Sequence, residues 1–309
     1  MENILGYKVG QTGNKFDDVI IILCDPDQII LRPFRADFSN STEKWRTRTK
    51  LPYWDKVTHG QPFAAHYGFH NQWLQNTDIA GIAKPEERPS PIETMERPLL
   101  TENFAVGPPY IATARDFDKI ARKWKEFGVP VHKQHPHLLA EMFAYCNAAA
   151  HLNLPHQVSQ SFMVSDIGAS GMEYWGPIDA VEGEDICKEG GIPSELLPNV
   201  LHYCQRYWLG KWFIGKYKLP KDFISCHTPL LREPPNDIAL KYDHAVQPGT
   251  GDIKPMKKPE HIKRNAFMLC YFISALNEAA AFYKEHNCKD GTANMEKTLI
   301  FHDSIELDQ

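Results

Sequence analysis

The stretch IIILCDPDQIILRPF, residues 20–34, places two carboxylates between two apolar runs. Runs of β-branched residues bounded by turn residues are typical of buried strands. Pro26 cannot donate a backbone hydrogen bond, and it biases the residue before it towards extended geometry. We therefore predict a buried strand that ends near Asp25, followed by the turn Asp25-Pro26-Asp27 and a second short apolar segment.

The spacing of Asp25 and Asp27 suits a divalent cation bound just past the end of a strand. Mg²⁺ and Mn²⁺ prefer oxygen ligands, and Mg²⁺ usually takes one or two carboxylates together with water and phosphate. A nucleotide diphosphate supplies such phosphate oxygens, and open α/β sheets bind ligands at the carboxyl ends of their strands. The alternative is a plain turn, because Asp and Pro are common turn residues.

The composition is that of an ordinary globular protein. The chain has 309 residues, of which 42% are hydrophobic and 24% charged, and its net charge is −5. No dense stripe of Lys and Arg occurs, so we expect no nucleic-acid partner.

The cysteines leave the redox state open. None of the seven forms a Cys-x-x-Cys pair, which argues against a zinc ribbon. The pattern permits one or two disulfides, and it also permits none. We find no apolar run of about 18 residues and no signal peptide, so we predict neither an anchor nor a leader in this chain. Because the acidic turn comes so early, we expect the chain to begin inside a larger protein.

Hydrophobic periodicity predicts three helices. The first covers residues 114–127 and ends at Gly128, the second covers residues 138–152, and the third covers residues 262–285. Short strands are predicted near residues 60–69 and 105–113. Glu141 lies on the second helix, and its spacing favours an exposed position.

Two histidine-containing segments are candidates for ligand binding. His66, in the short strand near residues 60–69, faces either a ligand or the core. The segment His132–His137 contains three histidines, but Pro136 interrupts it and the spacing fits no helix-borne metal pair, so we predict a loop.

The segment 200–213 combines a histidine with a Gly-Lys pair and several aromatic residues. If this segment returns to the acidic turn, His202 is a third metal ligand. Lys211, next to Gly210, then neutralises a leaving diphosphate.

Five motifs, in this order, resemble the plant and algal glycosyltransferase family that contains hydroxyproline O-arabinosyltransferases and peptidyl serine α-galactosyltransferases. The resemblance covers most of residues 18–235. The motifs are Asp25-Pro26-Asp27 with Arg32-Pro33-Phe34, Gly60-Gln61-Pro62 with Tyr67-Gly68, Val106-Gly107-Pro108-Pro109-Tyr110 before a helix ending near Trp124, Glu141-Met142-Phe143-Ala144-Tyr145, and His202-Tyr203.

The resemblance implies a GT-A fold, which is an α/β fold with a mixed, mostly parallel sheet flanked by helices. It implies a UDP-sugar donor, Mn²⁺ or Mg²⁺ as cofactor, retention of configuration and residence in the Golgi or ER lumen. Position by position, it assigns the metal to Asp25, Asp27 and His202, and the acceptor side to the catalytic candidate Glu141. The predicted cofactor-binding residues are Gly210, Lys211, His66 and Gly107.

These implications define the predicted domains and function. Residues 1–240 form the GT-A-like domain, and residues 241–309 form a helical extension packed on it. The predicted reaction moves galactose or arabinofuranose from a UDP-sugar to a Ser or hydroxyproline hydroxyl in a protein rich in these residues. Membrane association is expected only of the full-length protein.

The sequence also departs from the family. The first nucleotide-binding strands and the membrane anchor of the family do not precede the acidic turn. This keeps open a non-catalytic carbohydrate- or nucleotide-binding module, or a truncated and inactive glycosyltransferase. A third alternative is a metal-dependent hydrolase that uses the His132–His137 segment.

Overall fold

The structure, a computed structural model, describes residues 15–41, 52–75, 77–169, 171–247, 250–289 and 291–299. Strands and helices alternate irregularly along the chain. The strands are β1 (Ile20–Leu23), β2 (Gln28–Ile30), β3 (Phe63–His66), β4 (Val106–Thr113), β5 (Gln157–Ser159), β6 (Met163–Val164), β7 (Val200–His202), β8 (Arg206–Leu209), β9 (Trp212–Gly215), β10 (Leu230–Leu231), β11 (His244–Val246), β12 (Ile253–Pro255) and β13 (Lys297–Thr298).

The helices include three long ones and several short turns. The α-helices are α1 (Pro91–Thr94), α2 (Arg97–Phe104), α3 (Ala114–Gln134), α4 (Ala140–His151), α5 (Trp175–Asp179), α6 (Ile238–Lys241) and α7 (Pro259–Asn287). Short 3₁₀ helices cover Gln72–Leu74, Ile79–Gly81, Pro85–Glu87, Ser194–Leu196 and Lys216–Lys218. The protein is therefore a mixed α/β protein with several sheets and flanking helices, which confirms the predicted class.

The chain forms two compact units. The first contains the residues up to Pro26 and Phe34–Phe162, and the second contains Asp27–Pro33 and the residues from Met163 onwards. Compact units are not the same as sequence domains, and the predicted domain boundary after residue 240 stays a prediction.

A four-stranded sheet in the order β1-β4-β3-β5 forms the framework of the first unit. β4 runs antiparallel to both β1 and β3, whereas β3 and β5 are parallel. Antiparallel pairs also outnumber parallel pairs among the described strands as a whole, so the expected mostly parallel arrangement is wrong for them. Short connections explain this only for the pairs β8-β9 and β11-β12, which are joined by two and six residues, because a parallel pair needs a long crossover.

β1 is confirmed as a strand, but it is not buried. It lies at the edge of this sheet, and Ile22 and Leu23 are 41% and 37% exposed. An apolar run is compatible with an edge strand as well as with a central one, so the run alone does not fix burial.

Helices α3 and α4 supply the apolar core of the first unit. α4 confirms the helix predicted over residues 138–152, and its residues 142–150 are all buried. α3 passes through Gly128 and Pro130 to Gln134, so the predicted end at Gly128 is wrong. Phe127 and Val131 on either side are fully buried. We attribute the continuation to this burial, which outweighs the poor helix propensity of Gly and Pro.

The second unit contains the three-stranded sheet β2-β7-β6, the hairpin β8-β9 and helix α7. β2 and β7 are antiparallel, and β6 and β7 are parallel. Two disulfides, Cys187–Cys270 and Cys226–Cys288, tie loops to α7 and its carboxyl end. They settle the question of disulfides that the sequence left open.

Helix α7 confirms the helix predicted over residues 262–285. By length and composition it could cross a membrane, contrary to the expectation from the sequence, and 44% of its apolar window is buried. Phe267 and Phe272 are fully buried in the second unit. Core helices share these properties, so α7 gives only weak evidence for a membrane span.

Candidate metal centre

The pairing of β2 with β7 brings Asp27 to His202. Gln28 is the partner of His202 in the antiparallel register. The backbone N–H of Tyr203 donates to the carbonyl of Asp27 at 2.8 Å, which continues the ladder by one step. The ladder therefore holds the last residue of the acidic turn beside the end of β7, although the two are far apart in sequence.

Asp25, Asp27 and His202 each offer one ligand atom, and these atoms all lie within 4.8 Å of one another. His202 Nε2 lies 3.3 Å from Asp27 Oδ1. Trans ligands of one octahedral Mg²⁺ are about 4.2 Å apart. The upper limit of 4.8 Å between the ligand atoms exceeds this distance by only about 0.6 Å. The three predicted metal ligands thus form one cluster that could hold a metal ion.

His202 is suited to bind a metal because its surroundings favour the neutral imidazole. The residue is only 8% exposed. Burial lowers the pKa of His202, and the charge of Asp27 opposes this effect while that of Lys216 adds to it. A histidine must be neutral to ligate a metal, so burial favours the ligand form.

Lys216 is a site residue that the sequence analysis missed. Its ammonium donates to Asp27 Oδ2 at 2.6 Å. This hydrogen bond is the main reason why the pKa of Lys216 is raised, and the charge of Asp27 adds to it. The signal in the sequence was a second Gly-Lys pair, Gly215-Lys216, five positions after the first.

The register of the β8-β9 hairpin explains why Lys216, and not Lys211, reaches Asp27. Leu209 pairs with Trp212 at the turn, and Arg206 pairs with Gly215 at the open end. At about 3.3 Å per residue, the turn that carries Lys211 is about 10 Å away along the hairpin. Of the two lysines, Lys216 is therefore the one that contacts Asp27. The diphosphate role of Lys211 stays a prediction.

Gly210 has a structural role in the same turn. Its φ is +53°, and a Cβ on it would lie 2.7 Å from the ring of Tyr242. Lys211 Nζ lies 5.4 Å from the centre of the Trp212 ring. Gly210 thus permits the left-handed turn and the close approach of Tyr242, and nothing here indicates ligand binding.

Gly107 and His66 lie side by side in the sheet of the first unit. Ala65 pairs with Gly107, and His66 pairs with Val106. A Cβ on Gly107 would lie 2.3 Å from the Tyr67 ring and 2.6 Å from Met142 Cε. The space beside Gly107 is therefore filled by side chains, and this packing accounts for the presence of glycine at this position. His66 is 7% exposed, as the core interpretation requires.

Glu141 lies in the first turn of α4 and is exposed, as its spacing indicated. Partial burial of its carboxyl raises the pKa of Glu141, and the negative charge of Asp25 raises it further. The two carboxyls are thus close enough to interact, which places Glu141 near the acidic turn. This is consistent with its predicted role but does not assign one.

The histidines of the His132–His137 segment form no metal cluster in the described part of the chain. His132 belongs to the last turn of α3, so the predicted loop is wrong for residues 132–134. His135 Nε2 lies 2.9 Å from Thr77 Oγ1, and His137 Nδ1 accepts from the backbone of Leu139. In the part of the chain that the structure describes, the one group of three or more residues with suitable spacing is Asp25, Asp27 and His202. The structure therefore gives the hydrolase alternative no support.

No family model, curated protein or solved structure matches this chain. The glycosyltransferase resemblance therefore rests on its five sequence motifs.

Proposed function

We propose that this chain is a metal-dependent retaining glycosyltransferase with a GT-A-like fold. It transfers galactose or arabinofuranose from a UDP-sugar to a Ser or hydroxyproline hydroxyl of a protein. One observation carries the proposal, namely the cluster of Asp25, Asp27 and His202 with Lys216 bonded to it. The cluster unites metal ligands with a cation, and both kinds of group stabilise the charge of a bound diphosphate.

The ligand set favours Mn²⁺ over Mg²⁺. Carboxylates suit either ion, whereas an imidazole is a more usual ligand of transition metals. The bound ion would act as a Lewis acid that stabilises the charge on the departing diphosphate.

The residues of the chain position and neutralise the donor. Asp27 is held on both carboxylate oxygens, by Lys216 on one and His202 on the other. Lys216 then supplies a positive charge where the diphosphate leaves. His202 is largely removed from water, which strengthens these interactions.

Glu141 is the proposed carboxylate on the acceptor side. Retention requires either a carboxylate nucleophile or front-face attack in which the leaving phosphate takes the acceptor proton. If Glu141 is the nucleophile, Glu141→Gln abolishes transfer. If Glu141 only orients the acceptor, the variant retains activity with a raised KM for the peptide.

The disulfides support residence in an oxidising compartment. Disulfides persist in the ER lumen and outside the cell, and they are rare in the cytosol. Cys187–Cys270 and Cys226–Cys288 are therefore consistent with the proposed Golgi or ER location.

The test is sugar transfer from UDP-galactose or UDP-arabinofuranose to a Ser/hydroxyproline-rich peptide in the presence of Mn²⁺. We expect transfer by the native chain and none by the Asp25→Ala/Asp27→Ala double variant. Asp252→Asn changes an exposed carboxylate elsewhere and is the control. Undiminished transfer by the double variant would remove the metal from the proposal. Binding of Mn²⁺ and UDP without transfer would favour the binding module.

A further inference from the structure

Three cationic side chains converge at the open end of the β8-β9 hairpin. A Cβ on Gly215 would lie 3.4 Å from Arg206 Cγ and 3.6 Å from Lys218 Cγ, so both side chains pass close to this glycine. Lys216 follows it directly. Like charges repel, and such convergence is favourable where an anion binds between them.

These cations line a cleft of about 530 Å³ within the second unit. The lining contains three cationic residues, Arg206, Lys216 and Lys218, and one acidic residue, Asp166. Asp166 Oδ1 accepts from the backbone of Gly168. Among the residues that the structure describes, Arg206 and Lys218 have no ion-pair partner. The cleft therefore has two cations available for an anionic ligand.

Lys216 belongs to both the cleft and the metal centre. Its ammonium donates a hydrogen bond to Oδ2 of Asp27. The proposed metal needs the same carboxylate group. An ammonium and a divalent ion that share one carboxylate repel each other. A metal on Asp27 would therefore weaken the Lys216–Asp27 contact, and a phosphate in the cleft would offer the ammonium a new partner.

We propose that this cleft is a diphosphate site and that Lys216 couples it to the metal centre. Lys216 moves from Asp27 to a phosphate oxygen as the metal binds, and Arg206 and Lys218 hold the rest of the diphosphate. Metal and diphosphate then bind with positive cooperativity. The metal frees Lys216 for the phosphate, and the phosphate removes the Lys216 ammonium from the carboxylate that the metal needs. This inference rests on the proposed function and specifies how the donor is bound.

The test is equilibrium dialysis of the full chain against Mn²⁺, with and without inorganic pyrophosphate. Because pyrophosphate also binds Mn²⁺ in solution, the bound amounts of both are measured as the excess on the protein side. For the native chain we expect pyrophosphate to tighten Mn²⁺ binding about 5- to 150-fold, and Mn²⁺ to tighten pyrophosphate binding by the same factor.

Two variants separate the parts of the proposal. Lys216→Met should bind Mn²⁺ alone more tightly than the native chain, and its cooperativity should fall severalfold. The Arg206→Gln/Lys218→Gln pair should bind Mn²⁺ alone normally and pyrophosphate at least about 10-fold more weakly. Lys221→Gln removes an exposed cation from the same region and is the matched control. Urea unfolding of each variant checks that it is folded.

The opposite results would overturn the inference. These are unchanged or weaker Mn²⁺ binding by Lys216→Met, or native pyrophosphate affinity in the Arg206/Lys218 pair. Cooperative binding by a native chain that transfers no sugar would refute the transferase and leave the coupling intact. Failure to bind Mn²⁺ with or without pyrophosphate would refute both.

Discussion

Lys216 donates a hydrogen bond to Asp27 at 2.6 Å, although 189 positions separate the two residues in the chain. The contact joins the acidic turn to the 3₁₀ turn that follows the β8-β9 hairpin. On its other oxygen, Asp27 lies 3.3 Å from His202. Asp27 is therefore the central residue of the site, which makes the metal centre sensitive to each of these partners.

Loss of His202 should weaken metal binding without unfolding the chain. His202→Ala removes the only nitrogen ligand of the cluster. Loss of an outer-shell partner already costs about 10- to 100-fold in metal affinity, so we expect Mn²⁺ affinity to fall by at least about 10-fold. Electron paramagnetic resonance of free Mn²⁺ measures this directly. His227→Ala, at an exposed position, is the control. Equal affinities of the two variants would show that His202 is not a ligand.

Two glycines should respond oppositely to alanine. Gly107→Ala forces a methyl group into the Tyr67 ring and should destabilise the protein by about 1–3 kcal/mol. Gly128→Ala, inside α3 with nothing within 4 Å of its Cβ position, should stabilise it by about 0.5–1 kcal/mol. Urea unfolding of both variants measures the difference. A stabilising Gly107→Ala would mean that Tyr67 moves aside, and space for a ligand would then exist.

Removal of the Cys226–Cys288 disulfide should destabilise the second unit. The bridge closes a loop with a sequence separation of 62 residues, and its loss should cost about 2–4 kcal/mol. The Cys226→Ser/Cys288→Ser pair is compared with the native chain by urea unfolding under oxidising conditions. In dithiothreitol the two proteins should differ much less, because the reductant opens the native bridge as well. If the two proteins differed equally in stability with and without dithiothreitol, the loss would come from altered packing at the substituted residues and not from the disulfide.

Acid should destabilise the first unit through His151. Its side chain is 8% exposed, Ser90 Oγ lies 2.9 Å from its Nδ1, and Glu87 lies 3.7 Å from its Nε2. Burial lowers the pKa of His151, and the charge of Lys123 adds to this, whereas nearby glutamates oppose it. The unfolded chain therefore binds a proton before the folded chain does, and stability falls as the pH decreases through about 6.5.

The pH dependence can be assigned by substitution. Between pH 7.5 and 5.5, the melting temperature of His151→Gln should fall less than that of the native chain. The exposed His227→Gln should behave like the native chain. If the melting temperature of His151→Gln fell as much as that of the native chain, other titrating groups would cause the acid sensitivity.

The long helices could be predicted because their periodicity is local. Helices α4 and α7 lie within a few residues of the predicted bounds, and β1 begins and ends near its predicted positions. The end of α3 could not be predicted in this way. Local propensity favoured a stop at Gly128, whereas burial of Val131 depends on residues from elsewhere in the fold.

The sequence by itself determined the positions of the main helices and the acidic pair Asp25 and Asp27, because periodicity and ligand chemistry are properties of short segments. His202 was a candidate ligand only if its segment returned to the acidic turn, as the family resemblance implied. Only the tertiary structure decided that β2 pairs with β7, which brings Asp27 to His202. It also decided that Lys216, and not Lys211, contacts Asp27, because hairpin register determines which end of two strands a side chain reaches.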